Sequence, residues 1–187
     1  MLVDRFVISA VALAAAYLPP TTSRQIDPIT DPEAYAVYAA VLPRMWTNVS
    51  KDPLLLQQET EISLQCRPSP SQPNGEIGWE AVQDNFKAEN SRVRLLRRIL
   101  PIDIPYRLIP RAEIAADDAR LLSKYPGSWQ RRPESIEYAA VSAVGFDATK
   151  TKAIVHVHLR SEGGIYWIEN QLGKWDHKAR GGCFWIA

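Results

Sequence analysis

Two regimes of hydrophobic spacing divide the chain. From residue 31 to about 124 the apolar positions recur every three or four residues. From residue 135 onward they alternate with polar ones. The first regime predicts helices with one buried face, the second predicts strands. Asp31-Pro32-Glu33 supplies an N-cap, a proline at the first helical position and an acid in the first turn. The helix it opens is expected to stop at Pro43, with Tyr35, Tyr38, Val41 and Leu42 toward a core. Residues 54–64 read as a strand by their alternating, β-branched second half, and the Pro/Ser-rich stretch 67–75 as a loop. Residues 79–100 are expected to be helical, with a break near Asn90-Ser91 and a stripe of Val93, Leu96 and Leu100. Residues 102–109 are expected to be extended and, because of Pro105, at a sheet edge. A further helix covers residues 112–124 and ends at Tyr125-Pro126-Gly127-Ser128.

In the second regime, residues 136–144, 153–160 and 165–169 and the stretch from Trp175 onward read as strands. The turns fall at 147–150, 161–164 and 170–174. Short strands joined by short polar turns form an antiparallel meander of about four to five strands. Helices come first and strands last, so the expected class is α+β, with N-terminal helices packed on a C-terminal meander. No internal repeat is visible.

The N-terminus stands apart. An apolar run, Phe6 to Leu18, follows Arg5 and contains Ala12-Leu13-Ala14, a small-x-small pattern. Residues 1–18 therefore read as a signal peptide, 19–30 as a linker and 31–187 as a single domain. That reading places the protein outside the cytoplasm, periplasmic or extracellular. No other segment is apolar enough to span a bilayer, so no integral membrane segment is expected after cleavage. The 187 residues carry a formal net charge of +1, which gives no general attraction to nucleic acid. Cys66 and Cys183 are an even pair; they suit one disulfide in an exported chain or two buried thiols, and both readings stand.

Chemistry concentrates in one stretch. His156 and His158, two of the three histidines, lie two apart in an expected strand and so point the same way. A hairpin closed at Ser161–Gly164 places His156 opposite Glu169 and His158 opposite Trp167. His156, His158 and Glu169 then form a candidate metal site for Zn²⁺, or for Fe²⁺ in a facial triad, with His177 approaching from the next hairpin. The competing reading is a solvated outer face on which Glu169 pairs with His156. Arg92, Arg94, Arg97, Arg98, Arg107 and Arg111 form a basic cluster, read as a solvated helix face or as an anion-binding one. No nucleic-acid module accompanies it. Trp167, Trp175 and Trp185 line a groove for a peptide or glycan, or fill a core. The acidic pairs Asp117-Asp118 and Glu59/Glu61 have no partner base in sequence, and no nucleophile elbow, phosphate loop or dinucleotide fingerprint is present.

The C-terminal segments Tyr125-Pro126-Gly127-Ser128, Val144-Gly145-Phe146-Asp147, residues 150–155, Gly173-Lys174-Trp175 and residues 184–187 occur in order. In this they resemble a group of uncharacterised bacterial, exported proteins with a Tyr-Pro-Gly-Ser turn, a Val-Gly-Phe strand end and a Gly-Lys-Trp hairpin. A looser similarity covers Asn85-Phe86 and Asn90. Members carry a cysteine pair in the turn that here is Ser161–Gly164, so that link is missing. The resemblance implies a small bacterial α+β protein and carries over no catalytic residue. The functional expectation is a non-catalytic module that binds a protein or peptide partner. The alternatives are a metal-binding protein or metal-dependent hydrolase built on the His-x-His strand, and an inhibitor or immunity-type protein.

Overall fold

A computed structural model describes residues 26–61, 78–125, 136–159 and 162–186. The signal-peptide reading of residues 1–18 lies outside the described residues, as does Cys66. Three helices, α1 (Pro32–Val49), α2 (Glu80–Glu89) and α3 (Arg111–Lys124), pack with seven strands. These are β1 (Leu54–Gln57), β2 (Tyr106–Ile109), β3 (Ala139–Val141), β4 (Gly145–Phe146), β5 (Lys152–Leu159), β6 (Glu162–Gln171) and β7 (Lys174–Ile186). The sheet runs β2-β1-β3-β5-β6-β7, with β4 also on β5. The class is α+β as expected, but the sheet is mixed: β1 pairs parallel with both β2 and β3. α2 lies between β1 and β2 in the chain, and α3 between β2 and β3. Such helical crossovers return the chain in its starting direction, whereas the sequence-adjacent strands β4–β7 pair antiparallel.

Helix α1 starts as the sequence prescribes, with Asp31 as N-cap accepting a bond from the Glu33 N–H. It does not stop at Pro43 but passes through it to Val49. Pro43 costs one ladder bond, about 3 kcal/mol in a helix interior. Beyond it Met45 and Trp46 are buried, which offsets that loss, and Trp46 Nε1 donates to Asp52 O at 2.7 Å.

The expected helix after Trp79 ends at Glu89, at the expected break near Asn90-Ser91, and does not resume beyond it. Past that point backbone groups find partners across the fold. Leu95 bridges to both Pro28 and Glu59, and Thr60 N–H donates to Arg94 O at 2.8 Å. Leu96 and Leu100 are still buried, while Val93 and Ile99 stay exposed. The expected linker therefore ends earlier than residue 30, since Pro28 is bridged and Ile29 is buried.

Alternation places Val155, Val157, Leu159, Tyr166 and Ile168 on one face of the sheet, packed with α1 residues in the larger core. The opposite face is also covered. There Ile154, Ile165 and Trp167 meet Trp79, Val82 and Phe86 of the α2 region. The Trp79 and Trp167 rings stand edge-on, 4.9 Å between centroids. Among the described residues no helix is long and apolar enough to cross a membrane.

Candidate functional site

The His-Val-His strand is β5, and the structure puts His156 and His158 on its α2-facing side. The strand pairing differs from the expected one by four residues. His156 stands opposite Ile165, and Glu169 stands opposite Lys152. The reason is that Glu162, Gly163 and Gly164 belong to β6 instead of forming the turn. The side-chain period of two survives a shift of four, so the faces are as expected while the partners are not. Four residues of strand separate His156 from the position opposite Glu169, about 13 Å at ~3.3 Å per residue. Metal ligands must all lie about 2 Å from one ion. The structure therefore does not bring His156, His158 and Glu169 together, and Glu169 instead pairs with Lys178 at 3.4 Å. His177 packs against Tyr166, on the other face of the sheet. No group of three metal-ligating side chains occurs among the described residues.

Nor is this side of the sheet wet at His156. Its residue is 0 % exposed, and neither ring nitrogen has a hydrogen-bond partner among the described residues. Burial pushes the imidazole down to about 4, helped by neighbouring His158 and opposed by Glu61, so it is neutral at pH 7. The Glu61 backbone is near the ring, yet without hydrogen-bond geometry. Ser142 fixes the strand here: its hydroxyl accepts from His156 N–H and donates to Ala143 O. Of the expected strand 136–144 only Ala139–Val141 is strand, and β4 follows beyond its end at Gly145–Phe146.

The other sequence candidates are used structurally. Four of the six clustered arginines are ion-paired: Arg92 with Asp27, Arg94 with Glu89, Arg107 with Glu113 and, more loosely, Arg111 with Glu61. They do not form a helical stripe, because residues 92–100 are not helical. Trp167 is core and Trp175 is buried, its Nε1 donating to Glu33 at 2.9 Å; the Trp185 side chain lies outside the described residues, as does that of Cys183. Asp117 is buried and ties α3 to the chain entering β3, accepting from Arg120 and from Ile136 N–H.

Sequence reasoning missed a groove of about 530 Å³. Its walls are the 28–31 segment leading into α1, the outer face of α2 (Ala81, Asn85, Glu89), and the chain from Ala143 to Lys150. Two asparagines set its depth. Asn85 Oδ1 accepts from Phe146 N–H at 2.7 Å, and Asn90 bonds both the N–H and the C=O of Ala143. Gly145 lets α2 approach to backbone contact with β4. The signal was present in Asn85-Phe86, Asn90 and Val144–Asp147: these stretches, read separately, converge on one floor.

Electrostatically the groove is mixed. Lys150 and Asp31 pair at 2.7 Å across its mouth. Asp147 accepts from Thr149, Thr151 and two backbone N–H groups. Burial raises its carboxyl, but these bonds outweigh it and hold the group below the usual range. Arg94 is largely buried, with Glu89 on its Nη2 at 2.9 Å, and its Nε, itself fully buried, has no partner among the described residues. Comparison with protein-family models, with curated proteins and with solved structures finds no match to this chain.

Proposed function

We propose that this chain is an exported, non-catalytic binding module that takes a segment of a protein or peptide partner into the groove between α2 and the 143–150 chain. The observation that carries the reading is the groove itself, an open concavity of about 530 Å³ within the size range of ligand sites. Its lining supports binding over catalysis. Asp31 and Asp147 are spent as N-cap and turn acceptors, and Glu89 is paired with Arg94. The buried, neutral His156 has no nucleophile or carboxylate partner within bonding distance among the described residues. Export rests on the signal-like Phe6–Leu18 run.

The test is selection of a random nonapeptide display library on residues 26–187. Counter-selection uses an Ala81→Arg, Ala148→Arg variant whose groove is filled from two exposed positions. Peptides enriched on the parent and lost on the blocked variant are the expected result. An empty pool, or one that binds both proteins equally, removes the groove as the site.

A further inference from the structure

We infer that the groove seats the β6–β7 hairpin tip, with Leu172 at its head, of a second copy of this chain, so that two copies pair by reciprocal tip-in-groove contacts. The inference rests on the binding role proposed for the groove and names its partner. The tip is an exposed knob. The last β5–β6 pair is Lys152 with Glu169, and beyond it β6 and β7 continue as a two-stranded ribbon. Its turn is Leu172-Gly173, closed by the Gln171–Lys174 pair. Leu172 is fully exposed. A lone exposed leucine is ordinary on a surface. This one also sits in left-handed backbone, φ 54, followed by Gly173 at φ 82. A two-residue turn with both φ positive favours Asn-Gly, and a leucine there is strained. The tip is nonetheless stiff. Asn170 Oδ1 accepts from Gly173 N–H at 2.9 Å, and Asn170 N–H donates to Thr151 O at 2.8 Å. The fold thus holds an apolar side chain out in water, on a rigid support, in a conformation that a polar residue adopts more easily. Strain kept in this way points to use.

The hole lies beside the knob. Trp175, three residues after Leu172, packs on groove-lining Phe146 with 5.7 Å between ring centroids, and it bonds Glu33 in the first turn of α1. Three residues span at most about 11 Å, so tip and groove share one end of the molecule. A knob beside a hole is self-complementary about a two-fold axis: each copy's tip enters the other's groove, and the pair closes. The chemistry matches as well. Ile29, Val144 and Phe146 give the groove apolar surface for Leu172. Its lining carries Asp31, Glu89 and Asp147 against Arg94 and Lys150, an excess of negative charge. The tip, residues 171–174, carries Lys174 and no acid. Both halves of the contact are present on this chain, which selects a second copy as the occupant.

The experiment is sedimentation velocity on residues 19–187, the form left by signal cleavage, from micromolar to millimolar concentration. Leu172→Asn removes the knob and suits the turn, so it should fold as well as the parent or better. Ala81→Arg, Ala148→Arg blocks the hole from two exposed positions. The expected result is a reversible monomer–dimer equilibrium in the parent, weakened about a hundredfold or more by Leu172→Asn, since each dimer loses two buried leucines. The blocked variant should lose the dimer too. An equal mixture of the two variants should associate more strongly than either alone, because the blocked copy's Leu172 still fits the other copy's open groove. A parent monomeric throughout, a dimer that either variant retains, or a mixture no stronger than its parts overturns the inference. Each of these leaves the groove's binding role to the nonapeptide selection, which succeeds or fails independently.

Discussion

Gly145 in β4 lies directly against the backbone of Phe86 in α2: a Cβ at position 145 would stand 2.5 Å from Phe86 Cα and 2.6 Å from its N. No side chain fits there, and the obstacle is backbone, which cannot rotate aside. The contact fixes α2 on the sheet and so sets one wall of the groove and the roof over Trp167. Gly145→Ala is therefore expected to lower unfolding free energy by about 1–3 kcal/mol through overpacking. Urea unfolding followed by fluorescence checks this. A loss under ~0.5 kcal/mol would mean that α2 lifts freely, and that the depth of the groove is not fixed.

Asn90 supplies the ladder partner that Ala143 lacks where β3 gives way to β4. Its Oδ1 accepts from Ala143 N–H at 2.8 Å, and its Nδ2 donates to Ala143 O at 2.9 Å and to Phe86 O at 2.8 Å. Asn90→Ala strands the buried Ala143 N–H, while Ala143 O keeps the Ser142 hydroxyl and Phe86 O keeps the residue-90 N–H, so the cost is about 1–3 kcal/mol. Asn90→Asp keeps the acceptor but sets a carboxylate against two carbonyls, so its deficit should shrink as pH falls and the carboxyl gains a proton to donate. Equal stability of Asn90→Asp from pH 4 to 7 would contradict this geometry.

Zinc discriminates between the expected and the observed β5–β6 pairing. With Glu169 opposite Lys152 and paired to Lys178, Glu169→Ala should leave any zinc affinity of the protein unchanged within the error of calorimetry. A loss of saturable binding in that variant would require the hairpin to shift by four residues in solution.

Which parts of this architecture were legible in the sequence follows from which interactions are local. The α1 N-cap, the Asp147–Lys150 turn and the alternating faces of β5 and β6 depend on residues a few positions apart, and these were read correctly. The α1 end at Val49 was not, because Pro43 is overridden by burial of Met45 and Trp46 against distant residues. The break near Asn90-Ser91 was legible, but the expected resumption of helix to Leu100 was not, for the same reason: Leu95 and Arg94 bond to Pro28, Glu59 and Thr60, far away in sequence. The parallel pairs of β1 leave no periodic mark at all. His156 is the sharpest case. Alternation gave its face correctly, but only the packing of distant parts of the chain on that face shows that it is dry.

That burial makes His156 the group whose titration should be felt in stability. Its folded-state value, about 4, lies below the ordinary 6.5 because the charged ring would be desolvated and close to His158. The unfolded chain therefore takes up the proton first as pH falls. Stability is whole above about 6.5, drops as pH falls through 6.5 toward 4, and gains no further penalty from this group below that. The span between the two values corresponds to on the order of 3 kcal/mol. His156→Leu removes the titration and also two buried nitrogens without partners, so at pH 7 the variant should be as stable as the parent or more so. Carboxylates such as Asp147, held down by its turn bonds, still titrate in both proteins, which is why the comparison rests on the difference between them. Urea midpoints from pH 7.5 to 4 should converge or favour the variant at the top of the range and separate steadily in its favour toward pH 4. Parallel curves would mean that the ring finds a partner in solution, and that the face beneath α2 is wetter than its packing implies.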